Sequence, residues 1–152
     1  LTEAGQSLAC AESLTAGLLC ARVADVAGAS AVLRGGLVTY ATDLKASILG
    51  VDPDLLARRG AVDPEVAATM AGSVRVLLGA TWGVATTGVA GPTEQDGHPV
   101  GEVYVAVAGP RGEGGVVGLG VRALRLAGSR AQIREQAVAA ALRLLLERLD
   151  EG

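Results

Sequence analysis

The run Ala11-Glu12-Ser13-Leu14-Thr15-Ala16-Gly17 places a serine hydroxyl where an apolar stretch stops and a helical pattern starts. Backbone N–H groups at a helix start lack partners, and the helix dipole adds partial positive charge there. A hydroxyl at such a point has two uses. It caps the helix, or it faces a ready-made anion site as a nucleophile. Both readings of Ser13 are open on this stretch alone. A nucleophilic serine needs a base. Twelve of the thirteen basic residues are Arg, and the exception is Lys45. A guanidinium keeps its proton in a protein, whereas a desolvated lysine gives it up near neutral pH. Lys45 is therefore the candidate base. The spacing Tyr40-Ala41-Thr42-Asp43-Leu44-Lys45 leaves a strand end and enters a helix. Tyr40 is expected to orient the amine or pass on its proton. The only histidine, His98, lies in a polar loop, and a Ser-His-Asp triad would rest on that loop residue alone.

Further polar groups surround this core of candidates. Thr87 precedes the loop Gly88-Val89-Ala90-Gly91, which offers backbone N–H groups to an anion. Arg130 and Arg134 lie one helical turn apart and share a face suited to a phosphate, with plain surface arginines as the alternative. One His and two separated Cys make no metal-ligand cluster, and neither metal nor cofactor is expected. The net charge is −3 without a basic run, which speaks against nucleic acid and anionic membranes as partners. No apolar run approaches the ~20 residues of a membrane span. Free thiols at Cys10 and Cys20 fit a cytoplasmic setting.

These residues need elements to hold them. At 152 residues the chain reads as one domain, residues 1–152. Its aromatics are Trp82, Tyr40 and Tyr104, so the core must be built from Val, Leu, Ile and Ala. Strands are expected at 7–11, 32–40, 82–87, 101–108 and 114–124. Helices are expected at 14–27, 43–49, from Pro53 to Gly60, from the Asp63 cap to Leu78, and from the Ser129 cap to Leu149. Gly35-Gly36 signals a bulge or a close backbone approach in the second strand. Thr42 is expected to cap the second helix, and Gln132 to complete a capping box with Ser129. Pro110 to Gly114 reads as a hairpin turn. Early alternation followed by a late hairpin predicts an α/β three-layer α/β/α sandwich with a mixed, mostly parallel sheet. In such sheets ligands bind beyond the carboxyl ends of strands. Glu12-Ser13, Tyr40 to Lys45 and Thr86-Thr87-Gly88 all fall at such ends.

Taken together the residues resemble the CinA carboxy-terminal domain family, the PncC-type nicotinamide-nucleotide amidases. The resemblance covers essentially the whole chain. It is carried by Ala11 to Gly17, by Gly35-Gly36-Leu37-Val38-Thr39-Tyr40 with Lys45 and Leu49-Gly50-Val51, by Ala85 to Pro92 followed by Pro99-Val100-Gly101, and by Arg130-Ala-Gln-Ile-Arg134. It implies hydrolysis of the carboxamide of nicotinamide mononucleotide to nicotinate mononucleotide and ammonia, without a metal. It implies Ser13 as nucleophile, Lys45 as base and Tyr40 as support for proton transfer. Thr87 would lie in the pocket, and Arg130 or Arg134 would meet the substrate phosphate. Backbone donors would come from Thr15, Ala16 and Gly17 and from the loop between Gly88 and Gly91. A homodimer is expected. The alternatives are a non-catalytic nucleotide-binding regulatory module and a Ser/Lys amidase acting on another amide. The chain departs from the family at Leu14, where Cys is usual, at Ala16, where Gly is usual, and at Asp63, where Ser is common. An added methyl at Ala16 would tighten the site beside the nucleophile.

Overall fold

Leu8–Glu12 forms the first strand, β1, and every residue in it is buried. Such a strand must be covered on both faces, as parallel strands in α/β domains are. In the computed structural model, which describes residues 1–111 and 117–150, it sits inside a five-stranded sheet. The other strands are Leu33–Val38 (β2), Trp82–Gly88 (β3), Glu102–Arg111 (β4) and Val117–Arg125 (β5). Their order is β2-β1-β3-β4-β5. β1 runs parallel to β2 and β3, β4 is antiparallel to β3, and β5 is antiparallel to β4. β5 therefore points the same way as β1, and only β4 is reversed. The turn expected over Pro110 to Gly114 falls largely outside the described residues.

Side-chain alternation divides β1 between two cores. Leu8 and Cys10 pack with Leu19, Val84, Val105, Ile133 and Leu144. This side is covered by Leu18–Ala24 (α1) and Arg130–Asp150 (α5). Ala9 and Ala11 pack with Leu49, Leu55, Val66, Met70 and Val74 on the opposite side. That face is covered by Thr42–Ser47 (α2), Pro53–Arg59 (α3) and Pro64–Leu77 (α4). The result is a three-layer α/β/α sandwich with a mixed sheet, as the alternation of elements predicts. Among the described residues no helix is long and apolar enough to cross a membrane.

The Gly35-Gly36 signal has two consequences. The pairing of Leu8 with Leu33 and of Ala9 with Gly35 leaves Arg34 as the extra residue of a bulge. A Cβ on Gly36 would lie 2.2 Å from Cys20 Sγ, so this glycine lets α1 approach the sheet.

Two helix starts follow the expected chemistry. Ser129 and Gln132 exchange backbone-to-side-chain bonds of 2.8 and 3.2 Å at the head of α5, completing the capping box. Asp63 caps α4, accepting from Glu65 N at 2.8 Å and Val66 N at 3.4 Å, with Pro64 in the first turn. We expect Asp63→Ala to cost roughly 1 kcal/mol, the usual value of such a cap. Urea unfolding would read this as a lower midpoint at unchanged slope. Thr42 departs from expectation: Ala41 holds the cap position without a side-chain bond, and Thr42 is the first helical residue.

Candidate active site

The expected helix 14–27 begins later, at Leu18. Ala16 and Gly17 adopt φ values of 47° and 99°, which a right-handed helix excludes. Ser13 to Gly17 is instead a tight turn closed by Ala16 N donating to Ser13 O at 3.1 Å. An alanine in this left-handed conformation is strained by about 1 kcal/mol, so the turn is held by other contacts.

Glu12 supplies the first of them. Its side chain is fully buried and turned toward α1. Its carboxylate accepts from Leu19 N at 2.8 Å and Cys20 N at 3.1 Å. Glu12 thus does the capping expected of a serine at the strand end. The second contact comes from α5. Arg134 donates from Nε to Leu14 O at 2.9 Å and from Nη2 to Thr15 O at 2.8 Å. Thr15 adds a buried hydroxyl pair with Thr86 at 2.8 Å. With these three anchors in place, Ser13 is released from capping. Among the described residues no hydrogen bond engages its hydroxyl. Ser13 is 8% exposed and opens onto a cavity of about 140 Å³.

That cavity lies at the carboxyl ends of β1, β2 and β3. Its walls include Ser13, Tyr40, Gly88, Gly91, Gln95 and Arg130. Arg130 spans the mouth. It donates to the Tyr40 hydroxyl at 2.8 Å and also to the Gly91 carbonyl. The two arginines that share a helical face therefore separate in use: Arg130 reaches the cavity, and Arg134 clasps the turn beneath it. Thr87 is held away from the cavity, its hydroxyl donating to Ala61 O at 2.7 Å. His98 stands elsewhere, bridging Arg59 O at 3.1 Å and Glu102 at 3.2 Å. Burial works to lower its pKa, but the Arg59 carbonyl and the Glu102 carboxylate raise it overall.

Lys45 projects from α2 into the protein and is 1% exposed. Its Nζ donates to Thr39 O at 2.7 Å and Tyr40 O at 3.2 Å. Among the described residues no carboxylate pairs with it. Desolvation lowers its pKa from 10.5 to about 8, and the nearby Asp43 charge pushes the other way. The two carbonyls match the two N–H bonds of a neutral amine. The remaining tetrahedral position is then a lone pair, which is what a base requires. Among the described residues no group of three His, Cys, Asp or Glu is placed to hold a metal.

Sequence reasoning overlooked Glu12 as the cap and Thr39 as a neighbour of Lys45. For Glu12 the signal was an acid on a strand whose other residues are all apolar, since a buried carboxylate must have partners.

A family model described as the CinA C-terminal domain matches residues 1–149. A CinA-like protein from Frankia casuarinae is 52% identical over 145 residues, covering 95% of this chain and 32% of that protein. A CinA-like protein from Geobacter sulfurreducens is 45% identical over 148 residues, covering 97% of this chain and 34% of that protein. The chain thus spans about a third of the length of these curated relatives. Among solved structures, the competence/damage inducible protein CihA from Agrobacterium tumefaciens superposes with a TM-score of 0.88 at 34% identity, over 97% of this chain and 87% of that one. The competence damage-inducible protein A from Klebsiella pneumoniae gives a TM-score of 0.90 at 32% identity, over 99% and 90%.

Proposed function

This chain belongs to the CinA C-terminal domain family, and we propose that it is a nicotinamide mononucleotide deamidase working through a Ser/Lys acyl-enzyme. The observation that carries the reading is a serine freed from capping at a strand end, in the same structure as a buried lysine that bonds the carbonyls of Thr39 and Tyr40 at the next strand end and whose pKa is lowered to about 8. Other amides and a purely nucleotide-binding module are the competing readings.

The reaction runs in two halves. Ser13 loses its proton toward neutral Lys45 while its Oγ attacks the carboxamide carbon. The carbonyl oxygen becomes an oxyanion, for which the candidate donors are N–H groups of the Ser13 turn other than Ala16 N, which bonds Ser13 O, and of the Gly88 to Gly91 loop other than Val89 N, which bonds Glu102 O. One such donor is worth about 3 kcal/mol in a site of this kind. The protonated Lys45 returns its proton to the nitrogen, and ammonia leaves. A water molecule, deprotonated by Lys45, then attacks the acyl-serine and releases nicotinate mononucleotide. Tyr40 and Arg130 line the mouth of the cavity through which the ring enters. Arg130 exchanges its bonds to Tyr40 and Gly91 for the substrate phosphate. Arg134 keeps the nucleophile turn in place and does not meet the phosphate.

The test is ammonia release with nicotinamide mononucleotide and with the same amide lacking the phosphate. Release from the nucleotide alone fits the reading. Tight nucleotide binding without ammonia would favour the binding module, and release only from an unrelated amide would favour the other enzyme.

A further inference from the structure

Three hydroxyls form a row across adjacent strands. Glu12 is in register with Val38 on β2 and with Thr86 on β3. The ladder continues one step, with Thr39 N donating to Glu12 O at 3.0 Å and Ser13 N to Thr86 O at 3.0 Å. Ser13 is thereby flanked by Thr39 and Thr87. Adjacent strands lie about 4.8 Å apart, and side chains two residues apart share a face. Ala11, Leu37 and Ala85, two residues earlier in each strand, all pack into the core beneath α2 to α4. The row Thr39-Ser13-Thr87 therefore faces the layer that carries Lys45.

The three hydroxyls differ in what they bond. Thr87 is committed to Ala61 O. Ser13 opens onto the cavity. Thr39 is 0% exposed, and its Oγ1 is the only buried side-chain oxygen among the described residues without a hydrogen-bond partner. A buried hydroxyl left unbonded costs stability, and a valine of the same shape would avoid that cost. Lys45 Nζ sits 2.7 Å from the carbonyl of this same threonine. The unbonded oxygen thus belongs to the residue that flanks Ser13 across the sheet and whose carbonyl Lys45 bonds.

We propose that the Thr39 hydroxyl relays the proton between Ser13 and Lys45. The proposal rests on the Ser/Lys reading above. The transfer balances. Ser13 gives its proton to Thr39 Oγ1, and Thr39 gives its own hydroxyl proton to the lone pair of Lys45 Nζ. Thr39 ends unchanged, Ser13 becomes the attacking alkoxide, and Lys45 becomes the cation. The reverse sequence delivers the proton to the leaving nitrogen. Neither contact is a hydrogen bond in this structure; both form when substrate binds, as catalytic hydrogen bonds commonly do.

The experiment compares Thr39→Val and Thr39→Ser with the unaltered chain. Three quantities are read: turnover of nicotinamide mononucleotide against pH, the rate at which a fluorophosphonate labels Ser13, and the melting temperature. The relay predicts that Thr39→Val lowers kcat by about 100-fold or more, with KM and the midpoint of the pH profile unchanged. It predicts an equally slowed labelling rate and a melting temperature no lower than before. Thr39→Ser, which keeps the oxygen, should restore most of both rates. Should Thr39→Val fail to fold, Thr39→Ala replaces it, since Ser and Ala differ at this position by the oxygen alone. Undiminished turnover and labelling in the hydroxyl-free variant overturn the relay and leave the Ser/Lys reading intact. Equal loss in Thr39→Ser and Thr39→Val also overturns it, because shape and not the oxygen is then what matters. An unaltered chain that neither releases ammonia nor takes up label overturns the Ser/Lys reading, and the relay with it.

Discussion

Lys45→Met is expected to lower kcat by about 10³-fold or more while leaving the fold in place, within the usual range for removing a positioned general base. The reason is where the amine sits. Lys45 is among the largest fully buried side chains, and among the described residues its Nζ is bonded only to the carbonyls of Thr39 and Tyr40. Burial moves its pKa from 10.5 to about 8. At that value the charged form costs roughly 3 kcal/mol relative to water. A lysine with a structural role alone would gain two hydrogen bonds here at the cost of desolvation, whereas a base needs the lowered pKa that the desolvation brings. Methionine has nearly the same length and no charge. It removes the desolvation cost and also the two hydrogen bonds, so the melting temperature at pH 7 should change little. Arginine is a poorer probe, because its larger guanidinium does not fit a site this tightly enclosed.

The same shift fixes the pH dependence. Below about pH 8 the amine is protonated and cannot accept. Turnover should therefore rise with pH, about tenfold per unit at first, and level off above 8. The stability effect has its own sign. The unfolded chain holds the Lys45 proton up to about 10.5 and the folded chain only to about 8. Between those values the unfolded state binds more protons, so stability gains from this group as pH rises. Lys45→Met should remove that gain. A pH–rate profile that stays flat from 6 to 9 would contradict the assignment of Lys45 as base.

Glu12→Ala is expected to destabilise the domain by about 3 kcal/mol, the order for losing two hydrogen bonds to a charged group. The carboxylate has no cation beside it among the described residues. It is stabilised instead by Leu19 N, Cys20 N and the positive end of the α1 dipole. Removing it leaves both donors facing an apolar void. At a few degrees per kcal/mol for a domain of this size, the melting temperature should fall by roughly 10 °C. Glu12→Gln keeps one acceptor and should fall about half as far. Urea unfolding of the three proteins tests this directly. Equal stability of Glu12→Ala and the unaltered chain would show that the turn holds itself without the cap.

Much of this arrangement is legible in the residues themselves. The apolar run before Ser13 had to be a covered strand, and the lone lysine among arginines stood out by type. Alternation of elements was enough for the layers, and it pointed to the end of the sheet where the cavity lies. What stayed hidden depends on contacts distant in sequence. The onset of α1 was set too early, because Ser13 has the type of a cap and the true cap lies one residue before it. Only the backbone at Ala16 and Gly17 shows that the helix starts at Leu18. Arg134 looked like a phosphate ligand because it shares a face with Arg130, yet its donors go to Leu14 and Thr15, more than a hundred residues away. The register that sets Thr39 and Thr87 beside Ser13 is a property of strand pairing, and no local pattern encodes it.

The most direct measurement is ammonia release from nicotinamide mononucleotide by the unaltered chain and by Ser13→Ala, side by side and at a pH above 8. The account predicts steady release by the first. For the second it predicts a loss of several orders of magnitude, because the nucleophile is gone while the turn that carries it keeps its anchors. Comparable release by both proteins, or none by either, would contradict it.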